Sequence, residues 1–241
     1  MDGLEKNDSV GSMVARFPGL SRFFEEAKID YCCGGRKPLE EACLERGIDA
    51  EAFLARLREY VRTSEEGEAN EDLTELGLAA LADHIEHKHH RFLREELPRL
   101  DKLTKKVAAV HGDRDARLKE IRSVFLALSA ELSTHLMKEE RILFPMVRQL
   151  DSSTHAPSFH CGTLMNPIRQ MEIEHVDAGE ALEKLRALSD DYQPPEWACN
   201  TYRAMLDALA GLERDLHEHI HKENNILFPR AVEMEKAKGG V

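Results

Sequence analysis

The sequence predicts an all-α protein, an antiparallel four-helix bundle preceded by a small helical N-terminal domain. The alternation of apolar and polar residues that is typical of strands is absent, whereas long segments rich in Ala, Leu, Glu, Arg and Lys favour helices. Of the 241 residues, 42% are hydrophobic and 32% are charged, which is typical of a soluble globular protein with exposed helix faces.

The N-terminal domain is predicted to span 1–66. The sequence IDYCCGGRKP interrupts it, because two glycines and a proline favour a turn, and Pro38 is suited to open the helix that follows. The polar sequence SEEGEANE at 64–71 contains a glycine and is interpreted as a linker to the bundle. The helices of this domain are expected near 10–27, 38–46 and 50–62.

The bundle is predicted to span 72–238. Its helical segments are separated by short or moderate polar connections, which favour antiparallel neighbours. Pro98, Pro145 and Pro229 fall late in these segments and are expected to kink their helices or to mark frayed ends. The four segments are expected near 72–110, 114–150, 165–190 and 195–236.

A phrase of histidine and glutamate occurs twice in the bundle. HLMKEERILFP begins at His135 and HIHKENNILFP begins at His219, and in both the glutamate follows the histidine by four residues. In each helix the pair continues an apolar stripe with steps of three and four, so both side chains are expected to face the core. Buried carboxylates are costly unless paired or bound to metal, and imidazole with carboxylate suits iron, zinc or manganese.

The other two bundle helices each offer a histidine on a predicted apolar face. His175 lies between Met171 and Ala178, and His84 follows successive apolar positions at Leu73, Leu76 and Ala80. Since a carboxylate can bridge two ions, the sequence predicts a dinuclear site, with His87 or His90 as alternatives to His84. The six predicted ligands are His84, His135, Glu139, His175, His219 and Glu223.

Two other interpretations of these residues compete with a dinuclear site. Ferritin-like di-iron bundles use Glu-x-x-His, a spacing found here at Glu86/His89, Glu172/His175 and Glu218/His221. The glutamates of the last two pairs lie off the apolar stripes, which argues against that site. A purely structural bundle with incidental histidines would bury two glutamates without an ion, and that is also disfavoured.

The five cysteines include an adjacent pair in the sequence YCCGG. Arg36 and Lys37 are expected to favour thiolates there, so Cys32 and Cys33 are interpreted as a catalytic pair that handles electrons or metal. Buried small apolar side chains are the alternative. The remaining cysteines have no informative spacing and are expected to be inert, namely Cys43, Cys161 and Cys199.

The net charge and the N-terminus exclude several classes of protein. A formal net charge of -12 argues against binding to nucleic acid or to an anionic membrane surface. No run approaches the roughly 18 apolar residues that a membrane span needs. The N-terminus lacks a signal-peptide pattern and the cysteine count is odd, so a cytoplasmic protein without a disulfide framework is expected.

Several motifs together resemble the RIC family (repair of iron centres, the YtfE/ScdA type). They are IDYCCGG, the repeated H-x-x-x-E-x-x-x-LFP, NPIRQMEIEH, and the stretch from DH at 83–84 to REELP at 94–98. The resemblance implies an N-terminal ScdA-like domain and a hemerythrin-like bundle with two non-haem iron ions per chain. It also implies the same six ligands, with Glu139 and Glu223 bridging, and a vicinal pair at Cys32 and Cys33.

The resemblance further implies a function in restoring iron–sulfur clusters damaged by nitric oxide or oxidants, by iron donation or by reduction of nitric oxide. The expected partners are damaged iron–sulfur proteins, nitric oxide or O2 as a small ligand, and an electron donor. The alternative is a hemerythrin-like sensor of O2 or nitric oxide, or an iron store, without turnover. That alternative predicts that Cys32 and Cys33 are dispensable.

Overall fold

The computed structural model describes residues 3–64 and 73–239. Within them every regular element is helical and the only extended pairing is two isolated bridges, which confirms the all-α prediction. The predicted domain limits at 66 and 72, and the predicted linker beyond Ser64, lie outside the described residues. None of the described helices is both long and apolar enough to cross a bilayer.

The N-terminal part contains short helices. The expected helix over 10–27 is interrupted at Pro18, because proline lacks the N–H that would continue the hydrogen-bond ladder. Ser9 caps the first helix, since its hydroxyl accepts the N–H of Ser12 at 3.2 Å. Gly47 ends the third helix with a φ of 68°, a left-handed conformation that glycine adopts readily. The elements are α1 (Val10–Arg16), a 3₁₀ turn (Pro18–Leu20), α2 (Ser21–Glu26), α3 (Leu39–Arg46) and α4 (Ala50–Ser64).

The bundle consists of four long helical segments, three of which contain a π turn. Residues 73–77 precede the first segment, so it begins later than the sequence predicted. The helices are α5 (Leu78–Ile85), α6 (Arg91–His111), α7 (Arg117–Lys138), α8 (Phe144–Ser152), α9 (Met165–Leu188), α10 (Asn200–Lys222) and α11 (Phe228–Ala237). The π turns Glu86–His90, Glu139–Leu143 and Glu223–Leu227 join α5 to α6, α7 to α8, and α10 to α11.

Two of the π turns are explained by the Leu-Phe-Pro sequence that follows them. A proline in a helix removes an N–H and its ring clashes with the carbonyl four residues earlier. A wider turn relieves the clash: the N–H of Phe144 bonds to the carbonyl of Glu139, five residues back, and the N–H of Phe228 bonds to the carbonyl of Glu223. Pro145 and Pro229 therefore lie inside continuous helical segments, and the expectation of frayed ends there is wrong.

Neighbouring bundle helices run antiparallel. The end of α6 meets the start of α10, where His111 Nε2 lies 3.2 Å from Cys199 Sγ. The start of α7 meets the end of α9, where Arg117 bonds to Asp190 at 2.8 Å. With α7 packed on α6 and α9, and α10 packed on α6 and α9, the four segments enclose one interior.

A polar layer divides the apolar interior of the bundle in two. One buried cluster includes Leu93, Leu132, Ala178 and Leu216, one from each segment. The other includes Ile85, Leu143, Met171 and Ile226, again one from each segment. The residues between these levels include buried histidines and glutamates, so the candidate site lies between two apolar layers. A third buried cluster, with Phe24 and Leu57 among its members, belongs to the N-terminal helices.

Candidate metal centre

Two groups of buried side chains in the polar layer have the spacing of metal ligands. Within each group one ligand atom from every residue lies within 4.8 Å of the others, and all the members are buried. The first group is His90, Glu139, His219 and Glu223, and the second is His135, Glu139, His175 and Glu223. Because both glutamates belong to both groups, the groups are adjacent halves of one site.

Glu139 directs one carboxylate oxygen to each group. Its Oε2 lies 3.4 Å from Nε2 of His90, and its Oε1 lies 3.4 Å from Nε2 of His135. Glu139 begins a π turn, and the side chain is fully buried. Its two oxygens therefore face different pairs of histidines.

Glu223 repeats this arrangement from the opposite side of the interior. Its Oε1 lies 3.1 Å from Nε2 of His219, and its Oε2 lies 3.2 Å from Nε2 of His175. Glu223 also begins a π turn and is also fully buried. Each of the two carboxylates thus offers one oxygen to each group.

The residues fit a bound cation. His90 Nε2 and both carboxylate oxygens of Glu139 are buried and form no hydrogen bond among the described residues. The Nε2 atoms of His135 and His175 face each other at 3.1 Å. Unpaired buried polar atoms are costly, and a cation bound by these nitrogen and oxygen atoms removes that penalty.

The outer nitrogens of three imidazoles bond to acceptors on neighbouring helices. His135 Nδ1 lies 2.9 Å from Glu174, His175 Nδ1 lies 2.9 Å from Asn224, and His90 Nδ1 lies 2.7 Å from Glu140. Such bonds place the proton on Nδ1, which leaves Nε2 free as a ligand and fixes the ring. Sequence analysis missed these partners, although each directly adjoins a predicted ligand in the chain.

The carboxyl groups favour the charged form. Burial raises the pKa of Glu139 and Glu223, but the facing imidazoles lower it by a larger amount. The pKa of both carboxyl groups therefore lies below the ordinary value. Burial lowers the pKa of His135, but the carboxylates of Glu139, Glu223 and Glu174 together raise it by more, to about 9. A metal ion would therefore have to displace protons from imidazoles of this cluster, as metal binding commonly does.

A polar network lies beside His219. The ring of His219 stacks on His89 with centroids 5.2 Å apart, and His89 contacts Asp215 at 2.8 Å and Lys222 at 2.6 Å. Burial raises the pKa of Asp215 to about 7 and lowers that of Lys222 to about 8. Next to the site, the uncharged forms of Asp215 and Lys222 are therefore more accessible near pH 7 than they usually are.

His84 lies outside both groups, and His90 stands where the sequence analysis placed His84. The predicted stripe used Leu73 and Leu76, but both precede α5, and the buried face begins at Leu78 and continues to Ile85. The π turn Glu86–His90 then adds a residue and brings His90 onto the face that continues at Leu93.

The glutamates of the ferritin-like alternative face cations away from the site. Glu86 pairs with Arg148 at 2.9 Å, Glu172 with Arg36 at 2.5 Å, and Glu218 with Lys88 at 2.9 Å. Among the described residues, none of these glutamates belongs to a group with metal-ligand spacing.

A cavity of about 480 Å³ leads to the second group from the surface between α7, α9 and α10. Three imidazoles form its inner wall, those of His135, His175 and His219, and polar residues such as Glu131 and Lys138 line it as well. A small molecule therefore has a route to one side of the site.

The vicinal cysteines pack against the outer side of the bundle, next to the site. Cys33 Sγ is 3.5 Å from the carbonyl of His175, and a cavity of about 750 Å³ opens beside both cysteines. The carboxylate of Asp30 accepts the N–H groups of Cys32 and Cys33, each at 2.9 Å, and that of Gly34 at 2.8 Å. Together Asp30, Cys32 and Cys33 form a third group with metal-ligand spacing.

The expected thiolate at Cys32 is not supported. The adjacent Cys33 thiol, burial and Asp30 all raise the pKa of Cys32 well above its ordinary value. The basic residues that were expected to lower it are paired elsewhere, Arg36 with Glu172 and Lys37 with Glu45.

Cys199 lies in a different environment, at the far end of the bundle. It is exposed at the N-terminus of α10, and the backbone N–H of Tyr202 and the side chain of His111 lower its pKa to about 7. The prediction that this cysteine is inert therefore does not agree with its surroundings.

Comparison with known proteins agrees with this geometry. The family model described as hemerythrin HHE cation binding domain matches residues 83–231, and ScdA_N, a domain of unknown function, matches residues 6–60. A protein of Enterobacter sp. (strain 638) named iron-sulfur cluster repair protein YtfE is 38% identical over 227 residues, 94% of this chain and 97% of that protein.

The chain belongs to the RIC family. Proteins with the same name from Citrobacter koseri and Escherichia coli O17:K52:H18 are each 37% identical, over the same shares of both chains. Family membership confirms that the chain carries a hemerythrin-type cation-binding domain, and the two buried groups lie within the matched residues.

Proposed function

We propose that this protein restores iron–sulfur clusters damaged by nitric oxide or oxidants, and that it does so with a di-iron centre. The observation that carries the proposal is the sharing of Glu139 and Glu223 by both buried groups, which suits two adjacent ions. Relatives that match nearly the whole chain are named iron-sulfur cluster repair proteins, which supports the same conclusion.

The chain's residues would hold two non-haem iron ions, with His90 and His219 on one side and His135 and His175 on the other. When bound, such a centre supplies one-electron chemistry and open positions for a small ligand. Histidine and carboxylate donors without a thiolate suit iron that can be exchanged, as donation of iron requires. Glu174, through its bond to His135, would fix the ring that faces the access cavity.

We further propose that Cys32 and Cys33 accept or pass on iron or electrons. Cys33 lies close to the backbone of His175, one of the proposed ligands, and a cavity opens beside the cysteine pair. Both observations support this role. The partners would be damaged iron–sulfur proteins of the cytoplasm, an electron donor, and nitric oxide or O2 as the small ligand. Reduction of nitric oxide at the centre would be a second route of protection.

Reactivation of a nitric-oxide-damaged [4Fe–4S] enzyme tests the proposal. Iron-loaded protein with a reductant is expected to restore the activity of the damaged enzyme, whereas the Glu139→Ala variant is expected to restore none. Failure of the fully iron-loaded protein to reactivate the enzyme would reject cluster repair.

The double variant Cys32→Ser, Cys33→Ser separates repair from sensing or storage. Loss of reactivation in this variant, with the iron content unchanged, is expected if the pair takes part in repair. Cys161→Ser is the matched control, because Cys161 is partly buried and lies away from both groups. Reversible binding of nitric oxide without reactivation, in the native protein and in the variant, would favour the sensor.

A further inference from the structure

Asn225 links the loop of the vicinal cysteines to the turn that carries Glu223. It lies two residues after that glutamate, in the π turn Glu223–Leu227. Its side-chain amide donates to the backbone carbonyls of Tyr31, at 3.3 Å, and Cys32, at 3.0 Å. One side chain thus joins the backbone of the cysteine loop to a segment of the metal centre.

The fold leaves a space for this amide between two glycines. A Cβ atom added at Gly11 or at Gly35 would lie 2.3 Å from Oδ1 of Asn225, which no real contact allows. The N–H of Gly11 bonds to the carbonyl of Gly35 at 2.8 Å, so α1 and the cysteine loop hold each other around the amide. The absence of side chains at both positions allows this close approach.

Aromatic contacts strengthen the same junction. His221 Nδ1 lies 3.2 Å from the carbonyl of Tyr31, and the two rings pack with centroids 5.5 Å apart. His221 and Tyr31 are both buried, so water cannot replace these contacts easily. Within the loop, the Asp30 carboxylate accepts three consecutive N–H groups and so holds the backbone of the loop together.

We propose that Asn225 is a positioning residue that couples occupancy of the metal centre to the exposure of Cys33. A cation held by Glu223 stabilises the π turn, and the turn presents the Asn225 amide to the cysteine loop. Without the cation Glu223 keeps only its contacts with Nε2 of His175 and His219, at 3.2 and 3.1 Å, so the turn is held less firmly, the bonds to Tyr31 and Cys32 weaken, and the loop opens. This inference rests on the proposed metal centre, but it does not depend on cluster repair.

The rate at which iodoacetamide alkylates Cys33 measures this coupling. Alkylation forms a bond from Sγ to the reagent's methylene carbon and releases iodide, and the thiol proton passes to solvent. Fragment-ion mass spectrometry distinguishes Cys33 from Cys32 and from the reactive Cys199. In the native protein, removal of iron is expected to raise the rate on the order of tenfold, since two hydrogen bonds hold the loop closed.

The variants Asn225→Ala and Asn225→Asp are expected to react at the raised rate even when iron is bound, so that removal of iron no longer changes it. The aspartate keeps the shape but has no donor, so it distinguishes hydrogen bonding from packing. Lys28→Ala is the control, because it removes an exposed ion pair with Asp191 that also joins the loop region to the bundle. It is expected to behave as the native protein.

Gly11→Ala provides an independent test from the N-terminal side. Its added methyl group would lie 2.3 Å from the Asn225 amide oxygen and 2.9 Å from the Gly35 carbonyl, so it disturbs the junction from α1, and the same loss of coupling is expected. Gly211→Ala is its matched control, since the nearest atom to the added Cβ is a side-chain nitrogen of Arg214, 4.0 Å away. Iron content and thermal unfolding, measured on the same samples, show whether each variant is folded and loaded.

An alkylation rate that does not respond to iron in the native protein would overturn the proposal. A response that persists in folded, iron-loaded Asn225→Ala would overturn it too. If coupling is found but damaged clusters are not reactivated, the proposed function fails while Asn225 keeps its role.

Discussion

Replacing Asn224 by leucine should weaken the metal held by the group of His135 and His175. Asn224 is buried, and its Oδ1 lies 2.9 Å from Nδ1 of His175. Leucine has the same branched shape and the same number of side-chain heavy atoms but no acceptor, so the N–H of His175 would be left buried without a partner. The ring would then lose the bond that fixes its orientation and proton.

The size of the effect follows from that single bond. A buried donor without a partner costs about 1–3 kcal/mol, and about 1.4 kcal/mol corresponds to tenfold in an equilibrium constant. Changes of such outer partners typically lower metal affinity by about 10–100-fold. We therefore expect a weakening within that range for one of the two ions.

Competition with a chelator of known affinity measures this change, with iron counted per chain at each chelator concentration. The variant should release one ion at a lower chelator concentration than the native protein, and the second ion afterwards. Asn166→Leu is the control, because Asn166 is exposed and its side-chain amide bonds to the carbonyl of Cys161, at 2.7 Å, rather than to a residue of either group. An unchanged affinity in a correctly folded Asn224→Leu protein would refute the role given to this hydrogen bond.

Three further outcomes are expected. His90→Ala should lower the iron content while His84→Ala retains it, because His90 belongs to a group with metal-ligand spacing and His84 does not. Iron analysis checks this. The reverse result would support His84, the ligand predicted from the sequence. Alkylation of Cys199 should rise with pH around a midpoint near 7, because the pKa of this thiol is lowered to about 7 and the thiolate is the reactive form; a midpoint near 9 would contradict this. Leu128→Ala should lower the free energy of unfolding by about 2–5 kcal/mol, because the side chain of Leu128 is fully buried. Leu126→Ala should have a much smaller effect, because Leu126 is 43% exposed. Denaturant unfolding measures both, and equal losses would contradict the assigned core.

The sequence predicted the helical class and much of the site because both depend on local periodicity. His135 with Glu139, and His219 with Glu223, continue apolar stripes at steps of three and four, and the structure brings them into the shared groups. The two short phrases therefore contained the spacing that the site requires. His175 followed from the same reasoning on a third helix.

His84 shows where this reasoning ended. A periodicity of 3.6 residues per turn cannot reveal an inserted π turn, and the one at Glu86–His90 shifts every later side chain around the helix. Two of the π turns had a visible signal in the Leu-Phe-Pro sequence, but the turn at Glu86–His90 has no proline at that distance. The helix α5 also begins at Leu78, later than predicted, so Leu73 and Leu76 do not belong to the helical stripe that was used to predict His84.

Tertiary contacts between distant parts of the chain could not be predicted from the sequence, for a different reason. The burial of Cys32, and the pairing of Arg36 with Glu172, depend on how the N-terminal helices lie against α9 and α10. No local pattern encodes that arrangement. The basic residues near the cysteines therefore suggested a thiolate that the folded protein does not favour at Cys32.

Iron analysis of the isolated protein, together with its absorption spectrum, tests most directly whether two ions share Glu139 and Glu223. We expect two irons per chain and an absorption band from an oxo-bridged pair, both lost together in Glu223→Ala. A folded native protein that binds a single iron per chain, or none, would contradict the shared site.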